Sequence, residues 1–470
     1  MKIVRLSATV VILSALVVGF VLDQEPRTFD DVALVDHVGT PATSTGTWFC
    51  PGGSGEDGPA VVGLEIVNAG TQAATSEVTA LGSTAGDLST VQLALPAGAR
   101  VSVALSDLAP ESDWVGAVIE VDSPMVIVEQ SHEGPTGTDR STCATHTGTA
   151  FAVTDGATRV LSDGEEMTLL LLNPFQEDAV VDISFVADVG PDSLDAIVVP
   201  GQQVVAINVT DEVTVARRVA ATLDVIAGRV SVARVQTRDS ESMRGLTVTP
   251  VIPDGAEVSV IPILGTGQTT DIITVTNPDP FDAAEVDLEI LTDGSLSPDP
   301  IELTVRPGRT VRIDMSTETR LSELGAFSLI ARSLNEIPVA VMLESSAGLA
   351  AEGVPGTAAI VGIDGASNMW IAPMEGGAGL LAIVNPSSTS IAIVDVHVVD
   401  SAGQRFVLSV ELGPSRRTTI PVMEIGEGRP IVVIESTTPV VVGRDLTGFT
   451  SRQLLGGAAV GEVISLSRIE

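Results

Sequence analysis

The chain has 470 residues, 44% of them hydrophobic, with 24 Lys and Arg against 61 Asp and Glu, for a formal net charge of −37 at pH 7. That length suits roughly three or four domains of ~100–200 residues, and the apolar content is ample for their cores, which excludes global disorder. The charge repels phosphate backbones and anionic membrane surfaces, so nucleic acid is excluded as a partner, while acidity keeps a β-rich surface soluble and discourages edge-to-edge association.

The chain opens with Lys2 and Arg5 ahead of an uncharged apolar run from Leu6 to Leu22, followed by Asp23. Positive residues before an apolar core form an export signal. The run is 17 residues, about 25 Å as a helix at ~1.5 Å per residue, close to the minimum that spans a bilayer. Without a good cleavage site behind it, segment 1–24 is expected to stay as a single-pass anchor with the rest of the chain extracytoplasmic; the alternative is a cleaved signal and a secreted protein. Contact with membrane is expected through this segment alone.

Next comes Thr47-Trp-Phe-Cys-Pro-Gly-Gly53, with one of only two cysteines. Beyond it the chain repeats. Asn68, Asn173, Asn277 and Asn385 each close an apolar run, and they are spaced by 105, 104 and 108 residues. Pro96, Pro200, Pro307 and Pro414 follow at matching distances, then a strand pair broken by Pro or Gly, then a Gly-led strand running toward an Asp-Gly-Ala turn. Within each copy, short Val-, Ile- and Thr-rich runs alternate with period two, as in Arg100–Leu105 and Val394–Asp400. That pattern predicts antiparallel β-sandwich modules of seven or eight strands.

The expected fold is therefore all-β, with four tandem Ig-like β-sandwich modules over 25–154, 155–253, 254–363 and 364–470, strung like beads. A β-propeller is the alternative for a four-fold repeat, but a blade usually takes only ~40–50 residues. The repeated Asn reads as turn chemistry: an Asn side chain at a strand end bonds its own downstream backbone.

A catalytic set is harder to find. Lys2 is the only lysine, so the folded part offers no P-loop or Schiff-base lysine. Gly52-Gly53-Ser54-Gly55-Glu56 lacks the last glycine of a nucleophile elbow. His37, His132 and His146 fall in the first module and His397 in the fourth. The chain is read as non-enzymatic, without cofactor or metal. Cys50, His132, Cys143 and His146 have ligand-type chemistry for zinc, but export favours a Cys50–Cys143 disulfide. Trp48, Trp114 and Trp370 are candidates for stacking on sugar rings; Trp48 and Trp370 occupy matching places in their modules, which suits core positions better.

The Trp48–Gly53 motif after an apolar N-terminus, together with the repeated Val-Asn-Pro strands, resembles a domain-of-unknown-function family of exported actinobacterial cell-envelope proteins. The resemblance implies no catalytic residues. It implies a setting beside envelope glycan assembly, since such proteins are encoded near glycosyltransferase and sugar-nucleotide genes. The leading expectation is an envelope scaffold or adhesion protein whose partner is an envelope protein or glycan. The alternatives are a carbohydrate-binding accessory protein and a secreted hydrolase with an unrecognised triad.

Overall fold

The computed structural model describes residues 46–470 apart from 162–163, 188–189, 241–242, 254, 265–268, 294–296, 322–325, 348–355, 376–378, 400–404, 426–427, 448–451, 461–463 and 467–470. The apolar run Leu6–Leu22, expected to be an anchor, lies outside the described residues. Among the described residues, no helix is long and apolar enough to cross a membrane.

The first repeat holds β1 (Gly46–Ser54), β2 (Val61–Asn68), β3 (Ala74–Gly82), β4 (Leu88–Leu95), β5 (Arg100–Ala104), β6 (Trp114–Val121), β7 (Val126–Gly134) and β8 (Gly137–Thr142). The second holds β9 (Ala150–Val153), β10 (Glu165–Asn173), β11 (Ala179–Ala187), β12 (Gly190–Val199), β13 (Gln203–Asn208), β14 (Val219–Ala227), β15 (Ser231–Asp239) and β16 (Arg244–Pro250). The third holds β17 (Val258–Leu264), β18 (Thr269–Asn277), β19 (Ala284–Thr292), β20 (Ile301–Val305), β21 (Arg309–Asp314), β22 (Phe327–Ser333), β23 (Ala340–Ala347) and β24 (Gly356–Val361). The fourth holds β25 (Gly365–Pro373), β26 (Leu380–Asn385), β27 (Ala392–Val399), β28 (Arg405–Leu412), β29 (Arg416–Pro421), the long β30 (Ile431–Thr447), β31 (Arg452–Gly456), β32 (Ala458–Ala459) and β33 (Ile464–Ser465).

The expected all-β class holds. In the second repeat the strands form two four-stranded sheets, β12-β11-β14-β9 and β13-β10-β15-β16, and the third repeats this order as β20-β19-β22-β17 and β21-β18-β23-β24. In the first and fourth repeats a long strand links the two sheets: β1 pairs with β6 and touches β2, and β30 pairs with β25 and β27 and then with β26 and β31. Strand β9 pairs with β14, so the second repeat begins at Ala150, inside the span 25–154 assigned above to the first module. Alternation makes the cores. On β27 every second residue from Ala392 to Val398 is buried, and each repeat's two sheets enclose an apolar cluster between them, around Leu64 and Ile119, Leu171 and Ile183, Val275 and Leu288, or Ile383 and Val396.

The Asn residues hold the turns. Each is fully buried at the end of its repeat's second strand. Its amide nitrogen donates at 2.8 Å to the carbonyl of Gln72, Glu177, Asp282 or Ser390, and at 3.0–3.2 Å to that of Leu95, Val199, Val305 or Leu412. Its carbonyl oxygen accepts from the backbone N–H two residues on. One side chain thus closes the turn and ties it to the neighbouring strand connection, satisfying buried carbonyls that would otherwise be orphaned.

The repeats are not strung as beads. The eighth strands of the first three repeats and β31, which follows the long β30 of the fourth, meet side by side in a closed cycle: β8 against β16, β16 against β24, β24 against β31, and β31 back against β8. At each seam the sheet carrying one repeat's first strand packs on the sheet carrying the next repeat's second strand, as where Phe49 and Leu81 meet Leu172 and Val204, or Val258 and Leu291 meet Val384 and Val441. A head-to-tail contact of this kind either runs on as a filament or closes as a ring, and here it closes. The arrangement is propeller-like rather than a row of tandem sandwiches. Because one 105-residue unit supplies two four-stranded sheets, each sheet uses about half of it, close to the ~40–50 residues of a blade. The unit length that argued against a propeller counted two sheets as one.

Candidate functional site

Strands β8, β16, β24 and β31 would be exposed edges in isolated repeats; the ring turns them inward, where each covers the next. They approach closely. A Cβ on Gly245 of β16 would lie 2.0 Å from the Thr357 hydroxyl beside β24, so only glycine fits there. Asp139 of β8 accepts a 2.6 Å hydrogen bond from the backbone N–H of Val248 on β16, giving that edge a partner from another repeat. Burial raises the Asp139 carboxyl to about 7, against the pull of the Val248 and Arg140 N–H groups and of Arg234.

Where the strands converge they leave a cavity of about 180 Å³. All four repeats line it, with Arg140 and Ser141 from the first, Thr249 from the second, Ile360 from the third and Leu455 from the fourth, and Asp364 at the start of the fourth. Burial raises the Asp364 carboxyl, and the nearby His146 opposes that shift. The Ser141 hydroxyl accepts a 2.9 Å hydrogen bond from Gln130, so the group oriented on it is an amide and not an imidazole. The cavity is smaller than the ~300–1,000 Å³ usual for ligand pockets, and its lining is chiefly aliphatic residues and glycine.

Two of the seams carry arginine-rich clusters. Between the fourth and first repeats, Arg100, Arg140, Arg429 and Arg444 surround Glu65, Glu129 and Glu375. Glu65 takes Arg100 at 2.6 Å, Arg429 at 2.5 Å and Arg140 at 3.3 Å. Arg140 and Arg429 reach Glu375 at 3.0 and 2.6 Å, and Arg444 pairs with Glu129. Burial pushes the Glu65 carboxyl up, but Arg140, Arg100 and Arg429 together outweigh it and hold the carboxyl below its ordinary value. Between the second and third repeats, Arg218, Arg234, Arg238 and Arg312 surround Asp155, Glu165 and Glu344. Arg238 spans the seam, 3.2 Å from Glu165 on its own repeat and 2.5 Å from Glu344 on the next. Arg312 pairs with Asp155 across the same seam. Each cluster sets four guanidinium groups against three carboxylates, and burial lowers Arg234 to about 10. The seam between the first and second repeats is chiefly apolar, around Leu170, Val235 and Leu246. The two clusters thus place arginines and carboxylates together at the seams, in a chain where basic residues are scarce. Pattern reading missed these clusters; their one sequence signal is a charge inside an aliphatic run, as at Arg234, Glu65 and Arg444.

The Trp48–Gly53 motif lies on β1. Cys50 is bonded to Cys143, 93 residues away, with 4.7 Å between Cα atoms. The register of β1 against β6 shifts between Cys50 and Gly53. Gly52 sits there at φ 92°, and a Cβ on it would lie 1.7 Å from the Val115 carbonyl oxygen, so the Pro-Gly-Gly turn is a bulge that requires glycine. The Gly52 N–H donates to Gln130, and His132, wholly buried, lies with Nε2 3.3 Å from the Gly52 carbonyl. Burial lowers His132 to about 4, which keeps it neutral. Since Cys50 and Cys143 are joined, the four zinc-type residues considered above do not act as a ligand set, and no group of three or more His, Cys, Asp or Glu among the described residues is placed to hold a metal.

Of the stacking candidates, Trp48 and Trp370 are buried in the cores of their repeats. Trp370 donates its indole N–H to the carbonyl of Val440 at 2.8 Å, and neither ring has a face open to a sugar. Trp114 is half-buried against the seam with the second repeat. His397 alternates outward on β27, 3.7 Å from Glu435.

Residues 40–242 match a family of unknown function, DUF5719. That span covers the first repeat and the second up to the start of β16. No curated protein matches the chain. Among solved structures, the crystal structure of Thermotoga maritima 1070 is 18% identical over 21% of this chain and 98% of its own, with a TM-score of 0.18. The arabinofuranosyltransferase AftD from Mycobacteria is 10% identical over 84% of this chain and 41% of its own, with a TM-score of 0.12. A tetra-tandem repeat from the extending region of a large adhesion protein is 12% identical over 84% and 94%, with a TM-score of 0.08. At those scores the overlaps bear on neither the ring nor its role.

Proposed function

We propose that the protein is a non-enzymatic extracytoplasmic interaction platform, anchored by Leu6–Leu22 and binding an envelope protein or glycan through the surface of its ring. The observation that carries this reading is the commitment of these charged side chains to closure: Arg100, Arg140, Arg429 and Arg444 are engaged across the seam between the fourth and first repeats, and Arg238 across that between the second and third. Interlocked repeats with a disulfide in the first make a stiff body that presents the same loops four times, a design suited to repeated contacts. Resemblance to exported envelope proteins accords with that setting.

The test is a glycan array and a cell-wall pull-down with the mature chain. Retention by a defined polysaccharide or wall fraction supports the platform; retention by none counts against it. Glycan binding lost on Trp114→Ala would instead favour the carbohydrate-accessory reading.

A further inference from the structure

Strand pairing sorts every loop to one end of its repeat or the other. Asn173 at the end of β10 pairs with Gln203 at the start of β13, and Ala179 at the start of β11 pairs with Val199 at the end of β12. Val180 beside it pairs with Ala227 at the end of β14. The loops after the second, fourth and sixth strands therefore share one end. Because the repeats close head to tail with eighth strands starting side by side, as Gly137 beside Gly245 and Gly245 beside Thr357, these ends lie on one face of the ring.

That face carries exposed large apolar side chains in three repeats. They are Phe175 and Ile226 in the second, Phe281 and Leu334 in the third, and Ile391 and Ile393 in the fourth, with Phe281 85% exposed. Hydrogen bonds fix their loops: Leu334 donates its N–H to Glu285, the Phe281 N–H goes to Asp279, and Thr438 donates to the Ile391 carbonyl. The first repeat has no such pair. It has the chain entry instead, since Gly46 at the start of β1 pairs with Val121 at the end of β6, on this same face. The 23 residues between the apolar run and Gly46 reach at most about 80 Å at ~3.3–3.6 Å per residue. Outside this face, Leu88 in the first repeat, Val160, Leu161 and Val215 in the second, and Leu408 and Met423 in the fourth are exposed, and none of them is aromatic.

We propose that this face rests on the outer surface of the bilayer, held by the chain entry at the first repeat and by insertion of the three apolar tips, and that the opposite face is left for the partner. This rests on the membrane-anchored reading above. Acidic neighbours such as Asp279 and Asp282 beside Phe281, with the net charge of −37, specify an electrically neutral lipid surface, since anionic headgroups would repel them. Tips of this size would enter the headgroup boundary by about 5–10 Å.

Both native cysteines are in the disulfide, so Phe281→Cys, Ile226→Cys and Met423→Cys each supply one labelling site on an exposed position of the full chain. The full chain is reconstituted with phosphatidylcholine vesicles, floated, and read with an environment-sensitive fluorophore and shallow spin-labelled phosphatidylcholine. The expected result is flotation, with blue-shifted emission and quenching at 281 and 226 about two-fold or more above that at 423, in keeping with shallow insertion. Flotation with equal quenching at all three sites would overturn the face assignment and leave the anchor standing. Failure to float would overturn the anchor and the assignment together. A blue shift at 281 that grows with protein concentration and is not quenched by lipid would mean a second copy covers the face, and would also overturn it.

Discussion

Arg444 on β30 and Glu129 on β7 are 315 residues apart and form an ion pair with neither side chain exposed. Arg444 also donates to the carbonyls of Pro373 and Gly456, so its guanidinium is held from three directions at the one seam that no continuous chain crosses. A buried pair gains little over a well-packed apolar pair, but losing one partner strands a charge. Glu129→Gln or Arg444→Met alone should therefore destabilise by about 3–5 kcal/mol, while Glu129→Leu combined with Arg444→Met should recover much of the loss. Thermal unfolding of the three variants against the wild type checks this, and hydrogen exchange should show β7 and β30 opening first in the single variants.

The asparagine latches make a second prediction. Asn277→Ala strands buried carbonyls of Asp282 and Val305, at about 1–3 kcal/mol for each unsatisfied group. Asn277→Asp should be worse than Ala, because a carboxylate facing those carbonyls cannot donate. Urea unfolding of the two variants would show it; equal midpoints for Ala and wild type would refute the latch.

For the Cys50–Cys143 bridge, the chain-entropy account of a 93-residue separation allows up to about 4–5 kcal/mol. A double Cys→Ala variant should lower the unfolding midpoint, with hydrogen exchange rising in β1 and β8 before the third repeat is affected. Intact mass after alkylation without reductant should show no labelled thiol in the native chain.

Two buried groups give opposite pH dependences. Asp139 is raised to about 7, so the folded state holds a proton that the unfolded carboxyl, at an ordinary ~3.9, releases; its contribution is full below pH ~4 and is lost as pH rises to 7. His132 is lowered to about 4, so the unfolded state binds the extra proton; its contribution is full above pH ~6.5 and is lost as pH falls to 4. Across pH 4–6.5 the two slopes oppose each other. Asp139→Asn should leave stability rising with pH in that window, and His132→Asn should leave it falling. Melting temperatures of the two variants between pH 4 and 7.5 test the signs.

The amino-acid sequence by itself determined whatever depends on neighbours in the chain. Period-two alternation specified strands, because it sorts side chains to two faces whatever lies beyond them. The repeat of Asn68, Asn173, Asn277 and Asn385 specified four equivalent units, and the turn role read for them is the one their hydrogen bonds perform. Pairing of Cys50 with Cys143 followed from there being two cysteines in a chain whose N-terminus reads as an export signal. Tertiary structure alone decided how the units meet. Closure depends on β8, β16, β24 and β31 finding one another across roughly a hundred residues or more, and no local pattern encodes an angle between units. The same distance hides the seams: Glu65 looks like an isolated charge in an aliphatic strand and Arg429 like an ordinary loop residue until the ring brings them within 2.5 Å. Trp48 and Trp370, whose matching places already suited core positions, are buried in their repeats, whereas only the packing of the repeats decided that Trp114 lies against a seam.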